Sequence, residues 1–427
     1  MINTIFNPKE VAIIGATDRE NSVGRGIVEN LKEEGRKVYY INPQKKKIFG
    51  KKTYQKITDI DGKIDLAVIA VPQKAIDEVI DQCIEKKVGG VIIISSGFAE
   101  IGKEGKKRQE KIRKKLSSAQ IPLVGPNCLG LIRPSVGLNV SFAPGTPQKG
   151  GIAFISQSGG LIDAVIDGAE NNNFGFSIIV SVGNAAGMGI EDYIAIADGD
   201  KNTNVIALYI EGVKDGRLFL KTLQNTKKPV IVLKAGKTKN SKKAVTSHTG
   251  SLAGEYKIFS AALRQGGAIE AQSLEELFDI AKALSWQNKN KGTGAGIVTN
   301  GGGAGVLLAD LLDENNIKLP QKTSNPLDIL GDASPEKYET ACRKTIKQKE
   351  VSLLAVIQTP QTVTKPLENA KRIKKIFDDH KKPVVAIFMG SGVENKKAIN
   401  YLEEHKIPNY SDPKRALKPI MALINKL

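Results

Sequence analysis

The sequence predicts an α/β protein built as three doubly wound, mostly parallel domains. Three observations carry this. Short runs rich in Val and Ile recur along the chain, many of them closed by Gly, Pro, Ser or Asn. Helix-length stretches separate them, and strands alternating with helices imply parallel sheets covered on both faces. Two breaks, at Pro144–Gly151 and at Asn288-Lys289-Asn290-Lys291-Gly292, divide the series into three. The expected domains are 1–145, 146–290 and 291–427.

In the first domain the runs are Glu10–Gly15, Lys37–Pro43, Asp65–Pro72, Gly90–Ser95 and Ile121–Pro126. Each is short and rich in Val and Ile, the pattern of a strand buried on both faces. Gly24–Glu34 and Lys74–Lys86 are helix-length connections between them. Right-handed crossovers then bring all strand carboxyl ends to one edge. The second domain offers Gly151–Ser156, Ser177–Val182, Val205–Ile210 and Pro229–Lys234 as strands. The third offers Gly294–Thr299, Leu353–Gln358 and Pro383–Phe388. No short repeat period relates the domains, so a solenoid is not expected.

Composition is that of an ordinary globular protein, with 41% hydrophobic and 25% charged residues in 427. The longest apolar runs, such as Val91–Ile94, fall far short of the ~20 residues of a membrane helix. The first residues lack the basic-then-apolar layout of a signal peptide. Cys83, Cys128 and Cys342 are widely spaced and form neither a disulfide framework nor a zinc cluster. These features together imply a soluble cytoplasmic chain. Net charge is +18, denser in residues 1–150, with basic runs at 45–52 and 103–115. Such a surface is either solvated lysine or a lure for an anionic ligand. Aromatics are only 5%, so base-stacking platforms are scarce and nucleic acid is not an expected partner.

Ligands of open α/β sheets sit beyond the strand carboxyl ends. Here those ends are Gly15-Ala16-Thr17-Asp18, Asn42-Pro43 with Lys46 just beyond, Val71-Pro72, Ser95-Ser96-Gly97, and Gly125-Pro126-Asn127-Cys128. Small residues let the backbone approach a phosphate, and the following helix offers free N–H groups. Neither GxxxxGK[ST] nor GxGxxG is present, and one such turn alone is equally a plain strand-to-helix connection. Five aligned ends suggest one long anionic ligand laid across the edge. The second domain adds Ser156-Gln157-Ser158-Gly159-Gly160 before an apolar helix. The third adds Asn300 followed by Gly301, Gly302 and Gly303. Two such helix starts suit one phosphoryl group.

His248 sits in Thr246-Ser247-His248-Thr249-Gly250-Ser251, a loop of small and hydroxyl residues. It is either a surface histidine or an imidazole brought to a site. No nearby cluster has metal-ligand spacing, so a metal-bound histidine is not expected. A nucleophilic histidine needs a partner to fix its tautomer. Glu211, closing the strand Val205–Ile210, is the candidate; the same position also suits an ordinary exposed carboxylate.

With these residues in view, the chain resembles the α subunits of the NDP-forming acyl-CoA synthetases, the group that includes succinyl-CoA synthetase. The resemblance rests on Val124–Gly130, Phe154–Gly159, Val182-Gly183-Asn184, Ser247–Gly254, Thr299–Gly303 and Asn325–Asp332. It covers nearly the whole length. It implies a Rossmann-like CoA-binding domain followed by two flavodoxin-like domains. Gly15 to Asp18 and Ser95 to Gly97 would hold CoA phosphates and ribose, with Lys46 pairing with a phosphate. His248 would carry a phosphoryl group from acyl phosphate to ADP or GDP, oriented by Glu211. The helix starts after Ser156 and Asn300 would cradle that group, and Asn325 would lie near the acyl site. The implied reaction joins acyl-CoA, ADP and phosphate to give the acid, CoA and ATP, as in the acetate–CoA ligases of this group. No ATP-grasp region lies within these residues. Nucleotide and Mg²⁺ would therefore come with a partner β subunit, in an α2β2 assembly. The 319–325 connection looks shorter than is usual in the group. Acetate, a branched-chain or aryl acid, and succinate all remain open as the acid. A CoA-binding regulatory protein without turnover is the alternative, although a mere binder has no use for the histidine loop.

Overall fold

Strand runs that are apolar at every position have both faces covered, and the alternate residues show it. Val11, Ile13, Leu66, Val68 and Ile92 enter one core, and Ala12, Ile14, Ala67, Ile69, Val91 and Ile93 enter another. The period of two along a strand produces this division. The computed structural model describes residues 2–33, 35–171, 173–241, 255–290, 292–320 and 324–425. The chain divides into two units, Met1–Glu270 and Ala271–Leu427.

The first sheet contains β1 (Glu10–Ile14), β2 (Lys37–Ile41), β3 (Lys47–Ile48), β4 (Lys51–Tyr54), β5 (Leu66–Ile69), β6 (Val91–Ile93) and β7 (Leu123–Val124). Its order is β3-β4-β2-β1-β5-β6-β7. All pairings are parallel except the β3–β4 hairpin. The chain leaves β1 toward β2 and returns to its other side at β5. The turn after β1 therefore lies at the sheet's topological switch point. Part of the basic run 45–52 forms the β3–β4 edge, where Lys47 faces Lys52.

The second sheet contains β8 (Gly130–Arg133), β9 (Leu138–Ser141), β10 (Lys149–Ser156), β11 (Phe176–Ser181), β12 (Val205–Ile210), β13 (Val230–Lys234) and β14 (Ile269–Ala271). Its order is β14-β13-β12-β10-β11-β8-β9. The antiparallel β8–β9 hairpin lies upstream of residue 145 yet hydrogen-bonds to β11. It does so because Leu131, Val140, Ile178 and Val180 share one core. That core also takes in one face of the first sheet, so the two sheets are joined by buried apolar surface.

The second unit holds a parallel sheet of β15 (Ala295–Thr299), β16 (Leu327–Asp328), β17 (Leu353–Gln358) and β18 (Val384–Phe388), ordered β16-β15-β17-β18. The helix Leu274–Trp286 belongs to this unit by contact, although it precedes the linker at 288–292. It starts on a Ser273 hydroxyl that accepts the Glu276 N–H at 3.0 Å, a conventional N-cap. Among the described residues no helix is long and apolar enough to cross a membrane.

Candidate active site at the strand carboxyl ends

At the switch point, the Gly15 N–H continues the ladder to Ile41 O at 3.0 Å, and Asn42 Nδ2 donates to Ala16 O at 2.9 Å. Gly15 has φ +94°, and a Cβ there would stand 2.2 Å from Ala70 O. No side chain fits, so backbone lines this turn. Thr17 Oγ1 accepts the Arg19 N–H at 3.2 Å, which fixes the next step of the loop. Asp18 pairs with Lys45, whose hydrogen bond holds the carboxyl below its usual range. Lys46, the lysine expected to meet a phosphate, is exposed. Gly15→Ala should lower the melting temperature, because its Cβ would stand 2.2 Å from Ala70 O. Calorimetry on both proteins checks it, and an unchanged midpoint would mean that the turn can yield to a side chain.

The neighbouring ends converge on the same edge. Val71 O accepts the Ser95 hydroxyl at 2.7 Å, tying the β5 and β6 ends together. Pro72 follows, opening a short helical turn at Gln73–Ala75. Ser96 is exposed, and Gly97 O accepts Arg108 Nη1 at 2.8 Å. The Asn127 N–H reaches Ser95 O at 3.1 Å. The ends after β1, β5, β6 and β7 are thus linked by hydrogen bonds or by strand pairing.

The second and third sheets repeat one device. Ser156, closing β10, is fully buried; its hydroxyl donates to Ser158 O at 2.8 Å and accepts the Ser158 N–H at 3.0 Å. Thr299, closing β15, does the same to Gly301, both at 3.0 Å. A carboxamide follows each hydroxyl and staples the adjacent strand end. Gln157 Oε1 accepts the Glu211 and Gly212 N–H groups at 2.5 and 3.1 Å, and its Nε2 donates to Gly212 O at 3.0 Å. Asn300 Oδ1 accepts the Thr359 N–H at 2.7 Å, and its Nδ2 donates to Thr359 O at 3.0 Å. A helix then starts, Gly159–Asn171 in one case and Gly302–Glu314 in the other. The second has no side-chain cap on Gly301. Its first N–H groups therefore point past the strand ends, where an anion is favoured. The hydroxyl of Ser156 and the amide of Gln157 are spent on this scaffold. The Ser158 N–H is likewise taken by Ser156 Oγ, so the backbone N–H groups at Gly159 and Gly160, and at Gly302 and Gly303, are the donors it presents.

Glu211 is buried at the β12 end. Lys234, buried at the β13 end, donates to Glu211 O at 2.8 Å and lies 5.4 Å from the Phe259 ring. This interior ammonium adds positive charge beside Glu211. Sequence reasoning missed it, since a lysine closing an apolar strand reads as the first exposed residue. Also missed were Thr359 and Glu100, and for Asn184, marked only as part of the Val182-Gly183-Asn184 motif, its partners Glu100 and Gln109, far away in sequence. His248 lies outside the described residues, as do 242–254 and 321–323. Asn325 spends its carboxamide on β15, accepting the Ile297 N–H at 3.0 Å and donating to Ala295 O at 2.9 Å. Among the described residues no group of three or more His, Cys, Asp or Glu is placed to hold a metal ion.

Three parallel or mixed sheets, each with ligand-type turns at its carboxyl edge, define an α/β ligand-binding protein. Family models agree. Residues 9–134 match a CoA binding domain, 149–284 a succinyl-CoA ligase like flavodoxin domain, and 320–426 a ligase-CoA domain. The acetate–CoA ligase [ADP-forming] of Methanocaldococcus jannaschii is 42% identical over 98% of this chain and 62% of its own length. The acetate–CoA ligase [ADP-forming] I subunit alpha of Pyrococcus furiosus is 37% identical over 99% of this chain and 97% of its own. The solved acetyl-coenzyme A synthetase 1 (dinucleotide forming) of Ca. Korarchaeum cryptofilum, in complex with phosphate and ADP, superposes with a TM-score of 0.94 at 35% identity. That match covers 100% of this chain and 97% of the solved one. The chain belongs to the ADP-forming acyl-CoA ligases, the NDP-forming acyl-CoA synthetase family. It spans 62–63% of the length of some relatives and nearly all of the α subunits.

Proposed function

We propose that the chain is the α subunit of an acetate–CoA ligase (ADP-forming), working through a phosphohistidine at His248. The Gln157 staple carries the reading, because it fixes buried Glu211 beside the Gly159 helix start. A carboxylate to orient an imidazole and N–H donors to hold a phosphoryl group then lie on adjacent strands. CoA would lie along Gly15–Asp18, Val71-Pro72, Ser95–Gly97 and Asn127. The backbone-lined turn at Gly15 fits a pyrophosphate, which needs close approach and no side chain.

Phosphate attacks the thioester carbon, the C–S bond breaks, and the thiolate leaves and takes a proton. The acyl phosphate keeps the transferable phosphoryl group. His248 attacks its phosphorus, the bond to the carboxylate oxygen breaks, and the acid departs. Glu211 holds the ring so that one nitrogen faces phosphorus, while Lys234 and the helix N–H groups offset the charge. ADP then takes the phosphoryl group. Nucleotide and Mg²⁺ are assigned to an ATP-grasp β subunit in an α2β2 assembly. The described residues of this chain offer no cluster for the metal. Asn325 shapes the acyl side by holding its loop against β15.

Intact mass tests this after the chain is mixed with acetyl-CoA and phosphate, alone and with the β subunit. One added, acid-labile phosphoryl group is expected. Glu211→Gln should slow its appearance about 10²-fold, the cost of misplacing a reacting group. An unchanged rate would make Glu211 structural only. No phosphoryl group from any of a panel of acyl-CoAs would favour a CoA-binding regulatory role.

A further inference from the structure

A closed network joins the two sheets of the first unit, and the chemistry above makes no use of it. Glu100 lies in the turn after β6. Its Oε1 accepts the Gly97 and Phe98 N–H groups at 2.5 and 3.0 Å. Its Oε2 accepts Asn184 Nδ2, from the turn after β11, at 2.6 Å. The same Nδ2 donates to Gln109 Oε1 at 2.9 Å, and Gln109 Oε1 also takes the Ala99 N–H at 3.3 Å. Asn184 Oδ1 accepts Asn127 Nδ2 at 3.3 Å, and the Asn184 N–H reaches Pro126 O at 2.9 Å. Both carboxylate oxygens and the whole carboxamide are spent.

Backbone packing enforces the same register. Gly183 has φ +57°, and a Cβ there would stand 2.3 Å from Pro126 O and 2.6 Å from Asn127 O. The β11 turn therefore lies directly on the Pro126-Asn127 backbone. Two residues on, the Leu129 N–H donates to Ser181 Oγ at 2.9 Å. A Cβ on Gly159 would meet Leu129 Cβ at 3.5 Å. A continuous path of contacts thus runs from the Ser96-Gly97 turn through Glu100, Asn184 and Asn127 to the Gly159 helix start. Burial alone would raise the Glu100 pKa. Hydrogen bonds from Asn184 and from the Phe98 and Gly97 N–H groups outweigh it and hold the carboxyl below its usual range.

We propose that Glu100 and Asn184 are positioning residues that fix the CoA-holding turn at Ser96-Gly97 in register with Asn127 and the phosphate-holding helix start at Gly159. The inference rests on the CoA reading of that turn. An anionic ligand beside a carboxylate is otherwise a poor match. Here the N–H groups of the turn and the Asn184 amide neutralise the charge, and the carboxylate orders the turn instead of repelling the ligand.

Exchange of the pair tests it. Glu100→Gln turns an amide toward the amide of Asn184, donor against donor. Asn184→Asp sets carboxylate against carboxylate. Together, Glu100→Gln/Asn184→Asp restore one donor and one acceptor across the same contact, with Gln109 giving up its long 3.3 Å bond from the Ala99 N–H to turn its amide toward the new carboxylate. CoA is titrated calorimetrically into the full chain and each variant, with thermal midpoints recorded beside it. Each single change should weaken CoA about tenfold or more, and the exchange should recover affinity to within about threefold of wild type. Single variants of wild-type affinity would overturn the proposal. So would an exchange variant as weak as the singles. If wild type itself binds no CoA, the CoA reading of the turn fails, and the positioning role falls with it.

Discussion

His248→Ala and His248→Asn should leave the fold and CoA affinity unchanged, yet remove the acid-labile phosphoryl group entirely. Overall turnover should fall by more than about 10⁴-fold, the scale on which loss of an activated nucleophile is felt. The other two histidines cannot substitute. His380 caps the carboxyl end of the helix Pro366–Asp379, and His405 caps that of Val393–Glu404. In a parallel sheet with right-handed crossovers, helix carboxyl ends lie at the edge where strands begin. Both rings are therefore at the wrong edge of their sheet. His405 is further engaged, with Nδ1 2.7 Å from Tyr401 O and its ring 4.2 Å from the Tyr401 ring. The hydroxyls around His248 would give acid-stable esters, so acid lability separates a histidine acceptor from Ser247, Thr249 or Ser251. Intact mass before and after acid treatment, with turnover in the presence of the β subunit, checks all of this. A labile phosphoryl group on the His248 variants would sink the role.

What the sequence made legible follows the range of each interaction. β1, β5, β10, β15 and β17 are rich in Val, Ile, Leu and Ala because both faces are covered, and that signal is local. Gly15, Ser158 and Asn300 mark the turns after β1, β10 and β15, so those strand ends were readable. β16 has two residues and no alternation to detect. β3 and β4 are hidden in a lysine run whose charge suggests loop. The β8–β9 hairpin joins the second sheet only because Leu131 and Val140 face Ile178 and Val180 in three dimensions. The same limit applies within the site. Ser156, Gln157 and Asn300 were singled out as ligand groups, whereas the fold spends their side chains on Ser158, Gly212 and Thr359. Glu100 and Asn184 are 84 residues apart, so no window of sequence holds both. Lys234 shows the converse. Its burial is decided by Phe259 and the Glu211 carbonyl, neither of them near it in the chain.

Stability of the second unit should turn on one interior ion pair. Lys282 Nζ lies 2.7 Å from Glu403 Oε1 and 3.2 Å from Asn409 O, with the side chains of both partners only 5% and 6% exposed. The rings of Tyr410 and Trp286 stand 5.2 and 5.7 Å from the ammonium. Lys282 thus joins the helix Leu274–Trp286 to Val393–Glu404, and Arg415 binds the same first helix through both oxygens of Asp279 at 2.8 and 2.9 Å. Glu403→Leu removes the counter-charge and leaves the ammonium buried. It should cost about 3–5 kcal/mol, because desolvation of the lysine is no longer offset. The double change Glu403→Leu/Lys282→Met removes both charges and should recover most of that loss, since an apolar pair of similar volume carries no desolvation penalty. Recovery in the double variant separates a charge effect from a packing defect, because a packing defect would not be relieved by a second substitution. The protein offers its own probe, for Trp286 is its single tryptophan and its ring stands 5.7 Å from the Lys282 ammonium. Denaturation followed by Trp286 fluorescence should show a large loss in Glu403→Leu and a small one in the double variant. A double variant no more stable than the single would mean that shape and not charge holds these helices together.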